Sequence, residues 1–204
     1  VEIHAIGDAA AEQVLNAMED SVKQQSTPLF RPILTHCQVL SYHAIDLMVR
    51  HDVIANVQPS FVPTDMRWVE NRLTKDKFPF AYAWKTLIQR GIHVAGGSDA
   101  PIEHPSPLRG IFDAMYRSNV RRKKESEQEV IFRDEECLSL SEAIWMYTKE
   151  GAFASGYEDV LGEIKSGFAA DLVFLNPSVL TNPHHFHDLS PLMVIVEGKI
   201  EFCG

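Results

Sequence analysis

Two imidazoles and a carboxylate stand at the ends of three candidate strands, a set of donors that could hold a metal ion. His4 lies near the C-terminal end of a short apolar run, His36 just past the end of a second, and Asp99 just past the end of a fourth. Two nitrogen donors and one oxygen donor suit Zn²⁺ or a similar divalent ion. An ion so held lowers the pKa of water to about 7, and a carboxylate beside it can take that proton and return it to a leaving group. One histidine at a strand end is more often a hydrogen-bonded structural residue. Three such residues at strand ends, each followed by a tight or small-residue turn, point to one shared rim.

The elements that must position them alternate between short β-branched runs and helical patterns, the signature of βα units and a parallel sheet. Residues 1–6, 32–35, 53–57 and 92–95 are the expected strands. Between them, Val14, Leu15, Met18 and Val22 mark a helix with Asp8 as its N-cap. Ile45, Met48 and Val49 mark a second, capped by Ser41. Phe80, Ala83, Trp84, Leu87 and Ile88 mark a third, stopped at Gly91. Leu108–Tyr116 is expected to be helical, 117–136 a charged loop, and Ser139-Leu140-Ser141-Glu142 a capping box opening a further helix that ends in Gly151, Ala152 and Ala154. Beyond residue 160 short strands take over, at 161–164, 170–175, 193–196 and 200–202. The fold class is therefore α/β. Residues 1–160 resemble about half of a (β/α)8 TIM barrel, which needs about 250 residues and builds its active site at the C-terminal ends of its strands. Residues 161–204 form an antiparallel appendage.

Composition narrows the function classes. The chain has 45% hydrophobic and 23% charged residues and a net charge of −9, which disfavours nucleic acid as a partner because phosphate binding rests on clustered Lys and Arg. The basic run Arg121-Arg122-Lys123-Lys124 is expected to be a solvated loop. No apolar run approaches the roughly 20 residues of a membrane helix. Cys37, Cys137 and Cys203 form no CxxC pair, so a reducing cytoplasm is the expected compartment. The sequence opens at Val1 inside an apparent strand, so it is expected to be the later part of a longer protein.

At the level of motifs the sequence resembles a known family. His4-Ala5-Ile6-Gly7-Asp8-Ala9-Ala10, Thr35-His36-Cys37-Gln38, Gln58-Pro59, Gly97-Ser98-Asp99-Ala100-Pro101 and Gly167-Phe168-Ala169-Ala170-Asp171-Leu172-Val173 are similar to the amidohydrolase superfamily, closest to the YtcJ-like group of amidohydrolase family 3. The resemblance implies strands five to eight of the barrel followed by strands of a small composite β-sandwich. It implies His4 and His36 as metal ligands, Asp99 as both ligand and general base, and one or two divalent ions, zinc foremost. It further implies hydrolysis of an amide, N-formyl or related C–N bond of a small molecule. Relatives commonly carry Glu before the second histidine, where Thr35 stands here. The family's His-x-His pair would lie upstream of Val1. A fragment alone is expected to be nearly inactive, and its open sheet edges to seek a missing N-terminal half or a second copy. The alternative function is a non-catalytic half-barrel that self-associates.

Lesser expectations complete the reading. Gln38, Gln58 and His104 are candidate substrate contacts. His93 is expected on the opposite, stability face, with His43 and His51 at the ends of a helix and His185-Phe186-His187 in an exposed loop. Trp68, Trp84 and Trp145 are expected to anchor packing, Trp68 with a possible view of substrate. Asp171 should fix a turn, and Cys37 lacks a base that would make it a nucleophile.

Overall fold

The computed structural model describes residues 1–25, 31–120, 126–176, 185 and 190–204. The basic run at 121–124 and most of the His185-Phe186-His187 cluster lie outside the described residues.

Four parallel strands, β1 (Glu2–Ala5), β2 (Ile33–His36), β3 (Ile54–Val57) and β4 (Val94–Gly96), pair in sequence order. The register sets His4 opposite Thr35 and Asn56 opposite both Thr35 and Ala95. Because side chains alternate along a strand, this register divides the sheet into two chemically distinct faces. Ala5, Leu34, Ala55, Val57 and Val94 are buried in the hydrophobic core beneath α1 (Asp8–Gln25), α2 (Tyr42–Arg50), α6 (Leu140–Tyr147) and α7 (Lys149–Ser155). Glu2, His4, Thr35, Asn56 and Gln58 occupy the other face. By the same register Ile33, Ile54 and Ala95 share that second face, so it is mixed where the first is apolar.

Capping fixes the helix starts. Ser41 accepts a hydrogen bond from Ala44 N at 3.0 Å, and Ser139 and Glu142 close a reciprocal capping box. Asp8, expected as an N-cap, lies instead inside the first turn of α1 and pairs with Lys77 at 2.5 Å. That ion pair holds its carboxyl below the usual range. The helix opened by Ser139 breaks at Thr148 and continues as α7, which ends at Gly156 in the left-handed conformation that glycine adopts without strain. The stretch 161–164, expected as a strand, is a turn. Gly162 has φ +90°, and a Cβ there would sit 2.9 Å from the Ala152 Cβ and 3.0 Å from backbone atoms of α7. The antiparallel sheet comprises β5 (Leu172–Phe174), β6 (Met193–Val196) and β7 (Lys199–Cys203). Asp171 accepts from Glu197 N at 2.7 Å, pinning the hairpin turn between β6 and β7.

Between α5 (Pro107–Tyr116) and α6, the Tyr147 ring is wedged against two glycines. A Cβ at Gly96 would meet it at 2.8 Å, and one at Gly110 would meet its Oη at 1.8 Å. Its hydroxyl donates to Gly97 O at 3.2 Å, steadying the end of β4 two residues before Asp99. Gly110→Ala should therefore cost about 1–3 kcal/mol by overpacking. Urea unfolding would show it, and a loss under about 0.5 kcal/mol would mean that Tyr147 has another place to go. Trp84 is fully buried as expected, whereas Trp68 and Trp145 are exposed and anchor no core. Among the described residues no helix is long and apolar enough to cross a membrane.

Candidate metal centre

The polar face of the sheet converges at the C-terminal ends of β1, β2 and β3. His36 is the hinge of the arrangement. Its φ of +85° and that of Cys37 (+47°) break the strand alternation, so Thr35 and His36, though consecutive, both reach groups on the polar face. His4 Nδ1 and His36 Nε2 lie 2.9 Å apart. On the far side of the ring, His36 Nδ1 lies 3.0 Å from Gln58 Oε1, while Gln58 Nε2 donates to Asn56 O at 3.4 Å. With its nitrogen so engaged, Gln58 presents an oxygen, which can only accept. His36 Nδ1 therefore carries the proton, and Nε2 presents a lone pair toward His4. Phe61 stacks on the His36 ring at 6.1 Å between centroids and walls it off.

This chemistry fits half of a divalent-metal site. Two nitrogen donors on tetrahedral zinc, at about 2.0–2.1 Å each, stand about 3.3 Å apart, close to the separation of this pair. His4 Nδ1 now donates the proton between the rings. To serve as a donor to a cation, His4 must shift that proton to its own Nε2. The orientation of a ligating histidine by a hydrogen bond to its other nitrogen, as Gln58 gives His36, is the usual companion of a metal ligand.

Asp99 stands past β4 in the left-handed region (φ +53°), a conformation that aspartate tolerates better than most residues. It is half-buried on the rim. The structure does not draw it into one cluster with the imidazoles: among the described residues no group of three or more His, Cys, Asp or Glu side chains has metal-holding geometry.

The other candidates fall into separate places. Gln58 is the partner of His36. Gln38 is buried and donates to Asp65 Oδ2 at 3.4 Å, beside the Tyr82 hydroxyl that donates to the same oxygen at 2.6 Å. His104 is exposed and accepts from Ser106 N at 3.2 Å, a local loop contact. His93 stacks on Phe153 and meets Glu150 at 2.7 Å, on the helix side of the sheet. Cys37 is buried, its thiol pushed far above the usual range by desolvation, which removes it from nucleophilic chemistry. One residue escaped the sequence reading: Glu2 accepts from Thr35 Oγ1 at 2.6 Å and from Asn56 Nδ2 at 2.9 Å. These two donors, the Thr35 hydroxyl foremost, hold its carboxyl below the usual range. Its spacing of two from His4 on one strand was the available signal.

A sequence profile described as the amidohydrolase family matches residues 1–202. The chain belongs to the amidohydrolase family. This amidohydrolase-family chain is 39% identical over 204 residues to the putative amidohydrolase YtcJ of Bacillus subtilis, covering 99% of itself and 37% of that protein. It is 27% identical over 200 residues to the protein LONG AFTER FAR-RED 3 of Arabidopsis thaliana, covering 98% of itself and 33% of that protein. Among solved structures it is similar to an uncharacterized metal-dependent hydrolase from Pyrococcus furiosus, with a TM-score of 0.66 and 27% identity over 83% of this chain and 32% of that one. A metal-dependent hydrolase from Pyrococcus horikoshii gives a TM-score of 0.69 at 24% identity, a likeness of fold, over the same shares of the two chains. The chain thus spans about a third of the length of these four relatives.

Proposed function

We propose that this chain is the C-terminal half of the barrel of a metal-dependent amidohydrolase, followed by strands of its β-sandwich, and that the whole protein hydrolyses an amide or N-formyl type C–N bond of a small molecule. The observation that carries the reading is the His4–His36 pair, 2.9 Å apart at adjacent strand ends, with the His36 tautomer set by Gln58. His4 and His36 would hold a divalent ion, zinc foremost, with Asp99 as the oxygen donor from β4. A bound ion of this kind supplies Lewis acidity to a water molecule and to the substrate carbonyl. The chain's own part is to hold the imidazoles so that, once His4 carries its proton on Nε2, both lone pairs face one point, to exclude water behind His36 with Phe61, and to offer the Asp99 carboxylate as general base. That carboxylate takes a proton from the attacking water and returns it to the leaving nitrogen.

A second reading, a half-barrel without chemistry that pairs with another copy or with an N-terminal half, is favoured by one feature. The strand order leaves β1 and β4 as open edges, and unpaired edges invite association. Metal content separates the two. The chain, stripped with chelator and dialysed against Zn²⁺, is expected to retain at least one ion per molecule by atomic absorption. Retention of none by this chain, and again by the chain joined to strands that carry the family's His-x-His pair, would remove the hydrolase reading and leave the second.

A further inference from the structure

Beneath the histidine pair lies a second polar layer that the proposed reaction does not use. Glu2 precedes His4 by two residues on β1 and so shares its face, while Thr35 and Asn56 reach it from β2 and β3. Oε1 of Glu2 takes both the Thr35 hydroxyl at 2.6 Å and the Asn56 amide at 2.9 Å. Both donors are neutral. Its carboxyl lies below the usual range, held there by the Thr35 hydroxyl foremost and the Asn56 amide, with His4 and the Val1 amino group adding to the effect, and it takes no Lys or Arg hydrogen bond among the described residues. This face therefore places a carboxylate two residues from one of two paired nitrogen donors, where a cation held by those donors would meet its charge.

We propose that Glu2 is a positioning residue of the metal centre. Its carboxylate clamps β1 to β2 and β3, so that His4 meets His36, and its negative charge raises the affinity of the imidazole pair for a divalent ion. Glu2 is not itself a ligand. The inference rests on the metal reading above, and one set of titrations tests the two separately. Zn²⁺ affinity is measured by chelator competition, and the Co²⁺ absorption spectrum is recorded, for the 204-residue chain and for Glu2→Gln and Glu2→Asp. Glu2→Gln keeps the oxygen that Thr35 and Asn56 use but discards the charge, and is expected to weaken Zn²⁺ binding about tenfold, the usual scale for a group one shell behind a ligand. Glu2→Asp keeps the charge and recovers most of that loss. The Co²⁺ bands stay in place in both variants, because the donor set is the same. Wild-type chain that takes up no zinc overturns the metal centre and this inference with it. Wild-type uptake with unchanged affinity in Glu2→Gln overturns the inference alone, as does Glu2→Gln at full strength with Glu2→Asp weakened. A displaced Co²⁺ band in Glu2→Gln makes Glu2 a ligand and also overturns it.

Discussion

Replacing His4 by alanine is expected to lower the zinc affinity of the proposed centre by about a hundredfold and to leave the unfolding midpoint where it was. A zinc site with four protein ligands carries about 10–16 kcal/mol of apparent binding free energy, so one ligand's share is about 3 kcal/mol, or roughly two powers of ten. The second half of the expectation follows from burial. His4 is exposed on the rim, and its hydrogen bond is to the His36 ring. A substitution of that kind changes stability by less than about 0.5 kcal/mol. His36 makes a poorer first test. It is buried, and its loss would orphan the Gln58 carboxamide oxygen, so a fall in metal binding would be mixed with a fall in stability. Zinc competition on His4→Ala beside thermal melts of the metal-free chain checks both halves. An affinity within threefold of wild type would mean that the two imidazoles are a structural pair.

How much of this was legible in the sequence depends on what each residue's neighbours do. His4 and His36 were legible because strand ends can be read from β-branched runs, and a parallel sheet gathers its strand ends on one side. Their direct contact was not, because it depends on the left-handed turn at His36 that places two consecutive side chains on one face. Gln58 was singled out as a substrate contact, but the geometry gives it to His36. A glutamine after a strand looks the same in either role until the ring it meets is located. Glu2 was missed although its spacing from His4 is the simplest periodicity a strand has, because its donors come from β2 and β3, far along the chain. The turn at 161–164 was misread for a related reason. Leu161 and Ile164 suggest a strand, but Gly162 lies at φ +90° against α7, and the chain bends there.

Trp84 shows the same limit in the interior and carries the largest expected effect on folding. Its place on the inner side of an amphipathic pattern marks it as core, and it is 1% exposed. The sequence did not show what lies against it. Arg117, in a stretch expected to be a charged loop, is fully buried, with its guanidinium carbon 4.8 Å from the centre of the Trp84 ring and its Nε donating to Phe132 O at 2.9 Å. Among the described residues its two terminal nitrogens have no hydrogen-bond partner, and burial pulls its pKa down to about 10. Tyr82 meets Trp84 edge-on at 5.9 Å. The π face of Trp84 thus joins the Phe132 ring, 5.7 Å away, and the carboxylates of Glu136 and Glu135 in compensating a buried cation. Trp84→Ala is expected to cost about 3–5 kcal/mol for the cavity alone, seen as a lower urea midpoint with little change in slope. The stranded guanidinium adds a further cost. In an Arg117→Met background, where the buried charge is gone, the same substitution should cost about 1–2 kcal/mol less. Equal costs in the two backgrounds would mean that the ring fills space and does nothing for the charge, leaving the burial of Arg117 to be offset by some other group.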